Sequence, residues 1–201
     1  RKNSGVQNPR LTLGYDARLS SPEIASALSE GFKASGAHVI LLGMVTSPIS
    51  YFSTFTVENV HGGIMVTGSH NPPDYNGFKI SYNKTTIHGT EIKGLEQILL
   101  AKDFEDGNGS EETIDILTPY VARYKKEFGT LSNLPVAIDC GNGAAGSVVR
   151  RLYEAVGLKP RLLGFGPALL VGQCFGQGEV WGGCVGLAGE VVFQARFGLL
   201  R

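Results

Sequence analysis

The sequence predicts an α/β protein, a three-layer αβα sandwich built on a mainly parallel mixed sheet. Short apolar runs at residues 38–42 (His-Val-Ile-Leu-Leu) and 63–66 (Gly-Ile-Met-Val) have the length of buried strands. The segments between them carry apolar residues at helical spacing. The two patterns alternate along the chain, which is the order that builds parallel sheets by crossover connections.

Each element follows from its own residues. Leu11-Thr-Leu-Gly14 reads as the first strand. Ser20, Ser21, Pro22 and Glu23 are helix-start residues, and Ile24, Ala27, Leu28, Gly31, Phe32 and Ser35 then share one helical face. Gly36 closes that helix. Residues 38–42 form the next strand, 49–59 the next helix and 63–66 the third strand. Residues 78–82 (Phe-Lys-Ile-Ser-Tyr) are a further strand, and Ile92, Leu95, Ile98 and Leu99 mark an amphipathic helix. Residues 103–110 are polar and contain Gly, as expected of a loop. A helix carrying Leu117, Tyr120, Val121, Tyr124 and Phe128 comes next. Residues 131–134 read as a link, which sets a first domain at 1–130 and the start of a second at 131–158. That second part opens with a strand at 136–139, followed by a helix with Val148, Val149, Leu152, Tyr153 and Val156 on one face.

Composition narrows the function classes. Of 201 residues, 42% are hydrophobic, enough for a core. Eighteen Lys and Arg balance eighteen Asp and Glu, so no basic field steers the chain toward nucleic acid or an anionic membrane. Small-molecule partners are the expectation, with no nucleic acid and no membrane; composition fixes no oligomeric state. Three Cys make neither a metal spacing nor an even disulfide set, and no charged-then-apolar leader opens the chain. A reducing, cytoplasmic setting is expected. His38, His61 and His88 lack metal-ligand spacing, and Lys125 and Lys126 read as a solvated face.

The chemistry is concentrated in Thr67-Gly-Ser-His-Asn-Pro-Pro-Asp-Tyr-Asn-Gly-Phe-Lys79. A strand that ends in this loop presents Ser69 at a sheet edge, where α/β proteins place ligands. Asn71-Pro72-Pro73-Asp74 and Asn76-Gly77 bend the chain twice and leave backbone N–H groups free. Free amides, a hydroxyl and the Lys79 ammonium suit a phosphate. His70 adjoins Ser69, but consecutive side chains diverge, so a Ser-His pair is poorly supported, and no Gly-x-Ser-x-Gly elbow is present. Arg18, just past a strand end, is a further candidate for phosphate contact, with a surface ion pair as its competing reading.

Thr67-Gly-Ser-His-Asn-Pro72 with Tyr75-Asn-Gly-Phe-Lys79 resembles the phosphoserine loop of the α-D-phosphohexomutases, the phosphomannomutase and phosphoglucomutase family. Gly14-Tyr-Asp-Ala-Arg-Leu-Ser20 and Gly43-Met-Val-Thr-Ser-Pro48 resemble early segments of its first domain. Val136-Ala-Ile-Asp-Cys-Gly-Asn-Gly-Ala-Ala-Gly146 resembles the opening of its second, similar domain. The likeness runs from about residue 11 to about residue 157 and is nearer the bacterial phosphomannomutase/phosphoglucomutase branch. It implies that Ser69 carries a phosphate and moves it between O1 and O6 of mannose or glucose phosphates through a hexose 1,6-bisphosphate, which also acts as activator. It further implies Lys79 as an electrostatic and acid/base residue, His70 and Asn71 as loop contacts, and Mg2+ bound through the phosphate on Ser69. The family's acidic metal loop has no counterpart, since no Asp follows Asp139. The chain is therefore expected to be an inactive fragment.

Two other functional readings compete. Gly141-Asn-Gly-Ala-Ala-Gly146 fits G-x-G-x-x-G between a strand and a helix, as in dinucleotide-binding oxidoreductases. The acidic residue expected about twenty positions on is missing, since no Asp or Glu occurs from Ala155 to Gly178. A non-catalytic interaction fragment is the other reading. Finally, composition breaks after Lys159. Residues 160–201 contain no Asp, Lys, Ser, Thr, Ile or Tyr but ten Gly and the only Trp. Residues 159–201 are expected to be an out-of-frame tail, with a Gly-rich extension as the alternative. A membrane span is not expected in this tail, because its longest uncharged stretch, 162–178, is short and broken by Pro167.

Overall fold

The computed structural model describes residues 5–131 and 134–163, together with the backbone of 191–192. It divides into two compact units, Arg1–Ile116 and Leu117–Arg201.

In the first unit, β1 (Arg10–Tyr15), β2 (His38–Met44), β3 (Val60–Val66), β4 (Phe78–Tyr82), β5 (Thr85–Thr86) and β6 (Ser110–Thr113) form one sheet in the order β5-β4-β3-β1-β2-β6. The ladders β3-β1-β2-β6 are parallel, and β4 and β5 add antiparallel. The sheet is mixed and mainly parallel, as predicted. Side chains alternate across each strand, and a helix covers each face. Leu13, Val39, Ile64 and Val66 pack with Ala25, Ile24, Leu28 and Phe32 of α1 (Ser21–Ala34). On the other face α2 (Ser47–Thr56) lies over β1 and β3, where the Ser53 hydroxyl donates to Thr12 Oγ1 at 3.1 Å. Gly63 makes that approach possible. A Cβ there would stand 2.6 Å from Thr12 Oγ1 and 2.8 Å from Thr54 Cγ2.

Two elements depart from the sequence reading. Ser110–Thr113, placed at the end of a loop and the start of nothing regular, is the parallel edge strand β6. Its Ser-Glu-Glu-Thr sequence is exposed and has no apolar alternation to betray it. It is pinned by side chains instead. Glu111 accepts from the Ser29 hydroxyl at 2.8 Å and pairs with Lys33, while Glu112 binds His38 at 2.9 Å and Arg10 at 3.0 Å. The helix predicted from Ile92, Leu95, Ile98 and Leu99 forms as α3 (Thr90–Ala101), but none of its residues is buried.

The second unit contains α4 (Leu117–Phe128), β7 (Val136–Asp139), a 3₁₀ turn (Ala144–Ser147), α5 (Val149–Ala155), β8 (Arg161–Leu163) and β9 (Val191–Val192). β7 lies between β8 and β9, parallel to both. Helix α4 packs on α5, so it groups with this unit, whereas the sequence reading put it at the end of the first domain. The segment 141–146 makes a tight turn: Asp139 Oδ1 accepts the Gly141 amide at 2.8 Å, and the Gly143 amide donates to Cys140 O at 2.8 Å. Burial raises the Cys140 thiol above its usual range, with the neighbouring Asp139 charge adding to the effect. Residues 164–190 and 193–201, nearly all of the Gly-rich tail whose reading frame the composition brings into question, lie outside the described residues. Among the described residues no helix is long and apolar enough to cross a membrane.

Candidate functional site

Strand order locates the site. From β1 the chain crosses by α1 to β2 on one side, then by α2 back to β3 on the other. The connections therefore diverge at β1 and β3, and the crevice beyond the carboxyl ends of such strands is where open α/β sheets bind ligands. The turn after β1 carries Asp16 and Arg18. The loop after β3 carries Ser69 and returns as β4, with Val66 paired to Phe78 and Met65 to Lys79. Arg18, Ser69 and Lys79, widely separated in sequence, thus belong to neighbouring strand ends.

The loop is closed by its own backbone. The Thr67 amide donates to Gly77 O at 2.9 Å, Asn71 to Gly68 O at 3.0 Å and Tyr75 to Pro72 O at 3.0 Å. The Ser69 amide reaches Thr67 Oγ1 at 3.1 Å. Ser69 is exposed and sits at φ 53°, in the left-handed region that few non-Gly residues occupy. Among the described residues, no acceptor is found for the amides of Gly68 and His70 that flank it. A left-handed residue between free amides is the arrangement from which backbone anion cradles are made.

Arg18 is partly buried, 15% exposed at its side chain, and is directed into the loop. Its guanidinium donates from Nη1 to Pro72 O and Tyr75 O, and from Nη2 to Asn71 O at 2.7 Å and Ser69 O at 3.2 Å. Nε faces Asp16 Oδ2 at 3.4 Å. Asp16 accepts from the Ser21 hydroxyl at 2.5 Å and from the Arg18 amide at 3.1 Å. Asn76 closes the far side, donating to Ser20 Oγ and Ser21 Oγ while its own Oδ1 takes the Gly77 amide.

Lys79 shares a face with Met65 and donates from Nζ to Ser47 Oγ at 3.3 Å, at the first turn of α2. His70 and Asn71 are exposed beside Ser69. The structure thus brings Ser69, His70, Asn71, Arg18 and Lys79 to one sheet edge. In the sequence Asn76 is legible only as a turn residue, and Asp16, Thr67, Gly68 and Ser47 only as members of longer motif stretches, with no role of their own. The spacing of Asp16 and Arg18, two residues apart immediately after a strand, is a further signal for that pair.

The sheet order and the Ser69 loop define an α/β protein that carries an exposed, left-handed serine between two free amides at the switch point. Comparisons with known proteins carry this further. A family model described as phosphoglucomutase/phosphomannomutase, alpha/beta/alpha domain I, matches residues 1–106. The phosphomannomutase/phosphoglucomutase of Pseudomonas aeruginosa is 39% identical over 149 residues, covering 74% of this chain and 32% of its own length. A phosphoglucomutase of Neisseria meningitidis serogroup B is 38% identical over 152 residues, 75% of this chain and 33% of its own. The crystal structure of a phosphoglucomutase/phosphomannomutase family protein from Burkholderia thailandensis superposes with TM-score 0.75 at 37% identity, over 82% of this chain and 37% of that one. The chain belongs to the phosphoglucomutase/phosphomannomutase family. It spans about a third of the length of the curated relatives it matches.

Proposed function

We propose that this chain is the phosphoserine-bearing part of a phosphohexomutase that moves phosphate between O1 and O6 of mannose or glucose phosphates. The observation that supports this most is Ser69, exposed in a left-handed conformation between two free amides, at the switch point of the sheet. The transfer is balanced. A hydroxyl of the hexose monophosphate attacks phosphorus, the bond from phosphorus to Ser69 Oγ breaks, and the proton of the attacking hydroxyl ends on Oγ. A hexose 1,6-bisphosphate results, and the reverse step from its other phosphate restores phosphoserine.

The protein's part in such a transfer is positioning and charge stabilisation. Free amides beside Ser69 and the ammonium of Lys79 supply donors to the phosphoryl oxygens, and His70 and Asn71 border the same edge. Mg2+ bound to the phosphate on Ser69 would supply further charge neutralisation. Among the described residues, however, no group of three or more His, Cys, Asp or Glu could hold a metal ion. Mg2+ holds a near-octahedral oxygen shell that usually includes one or two carboxylates besides phosphate and water. The chemistry assigned to this chain is therefore that of Ser69, Lys79 and the loop.

The 201-residue chain, assayed with mannose 1-phosphate and glucose 1-phosphate in the presence of glucose 1,6-bisphosphate and Mg2+, is expected to give negligible turnover. Robust conversion would show that the residues described suffice for the whole reaction, and a Ser69→Ala variant that retained it would remove Ser69 from the mechanism. A cytoplasmic setting and hexose phosphate partners belong to the same proposal.

A further inference from the structure

Arg18 invites assignment as a phosphate ligand, because it is a cation at the mouth of a phosphate-type site. Its geometry points elsewhere. A guanidinium has five N–H donors in a fixed fork. Here Nη1 and Nη2 serve four carbonyl oxygens of one loop, those of Ser69, Asn71, Pro72 and Tyr75, and Nε faces Asp16. No donor is left for a substrate oxygen. The loop is shaped to admit the group: a Cβ at Gly68 would collide with Cζ, Nε and Nη1 of Arg18. Asp16, itself fixed by Ser21, holds the guanidinium from behind. Pro72 O also takes the Tyr75 amide, but two Pro in this segment remove amides, and the carbonyls of Ser69, Asn71 and Tyr75 are converged by the side-chain donor.

We propose that Arg18 is a positioning residue that gathers the carbonyls of the 69–75 turn onto one guanidinium, fixing Ser69 in its left-handed conformation with the flanking amides free for an anion. The cation neutralises the carbonyl ends of the loop's peptide dipoles, and the N–H ends are the ones left over for phosphate. The catalytic part of this inference rests on the reading of Ser69 as phosphate carrier; the structural part does not.

The test uses the full 201-residue chain and hydrogen exchange at the amides of Thr67, Ser69, Asn71 and Tyr75. Amides of β1 and β3 serve as the internal reference. Arg18→Ala is expected to speed exchange in the loop at least about tenfold, the loss of little more than one net hydrogen bond's worth of ordering, with the strand amides unchanged. Arg18→Lys is expected to behave the same way, because a point-like ammonium cannot span four carbonyls as a planar fork does. Guanidinium ion at non-denaturing concentration restores protection to Arg18→Ala, and methylammonium does not. Gly68→Ala, which fills the slot from the opposite side, reproduces the Arg18→Ala pattern and stands in for it should that variant fail to fold. Parent-like exchange in either Arg18 variant overturns the proposal. So does rescue that fails with guanidinium or succeeds equally with methylammonium. Phosphate occupancy of Ser69, measured in the same variants expressed in the source organism, should fall with loop protection. Absence of phosphate in the parent itself would count against the carrier reading and leave the exchange result standing.

Discussion

Replacing Gly63 by Ala tests whether the face of β3 beneath α2 has the close packing that delivers the Ser69 loop. The added Cβ would lie 2.6 Å from Thr12 Oγ1 and 2.8 Å from Thr54 Cγ2, both buried, so each neighbour must yield by more than half an ångström. Displacing Thr12 also strains its hydrogen bond from Ser53. Overpacking of this kind costs about 1–3 kcal/mol. Against it, losing a Gly from the unfolded chain stabilises by about 0.4–1 kcal/mol. The clash is the larger effect, and a net loss of about 1–2 kcal/mol is expected, a fall in Tm of roughly 4–8 °C per kcal/mol for a domain near this size. Gly31 is the matched control. It lies in α1, where a Cβ would meet nothing within 4 Å, so Gly31→Ala should stabilise by up to about 1 kcal/mol. Urea unfolding of the two variants beside the parent gives both signs in one experiment. If Gly63→Ala matched Gly31→Ala in sign, the close approach of α2 to β3 would be wrong.

Further outcomes follow from the same geometry. The His38 hydrogen bond, with Arg10 assisting, holds Glu112 below the ordinary glutamate value of 4.5 against the opposing effect of burial. A lowered folded-state pKa means stability that is fully present above the unfolded value and is lost as pH falls through the folded one. The Tm gap between the parent and Glu112→Gln should therefore close on acidification below 4.5 and stay open above it; a gap that widened in acid would contradict the pairing. Glu111, lowered by the Ser29 hydroxyl first and Lys33 second, should behave alike in Glu111→Gln. Lys79→Ala removes a charge and leaves the carrier, so exchange of the Ser69 phosphate with labelled glucose 1,6-bisphosphate, in protein purified from its source, should slow by about 10²–10³-fold, the usual effect of losing one charge-stabilising donor. An unchanged rate would remove Lys79 from the transfer.

What the sequence disclosed was what one contiguous stretch could carry. Strands β2 and β3 announce themselves as short apolar runs, α1 by its apolar face and Pro22, and the Ser69 loop by turn residues packed between a hydroxyl and a cation. Edge strand β6 has no such signature, since Glu111 and Glu112 reach their partners Ser29, Lys33, His38 and Arg10 across most of the unit. The role of Arg18 was hidden for the same reason. Its carbonyl partners lie more than fifty positions away, and the meaning of Gly68 becomes visible only once the guanidinium is in place. Helix α3 shows the converse. Its amphipathic spacing was read correctly as a helix, yet Leu99 is 64% exposed, because periodicity reports local preference and not which partner covers the face.

Whether Ser69 is the phosphate carrier is decided by mapping phosphate on the protein purified from its source organism. Intact mass followed by phosphopeptide sequencing should find one phosphate, on Ser69, and none in a Ser69→Ala variant that keeps the circular dichroism of the parent. Phosphate mapped only to another residue, or a Ser69→Ala variant that carries as much phosphate as the parent, would contradict the carrier role.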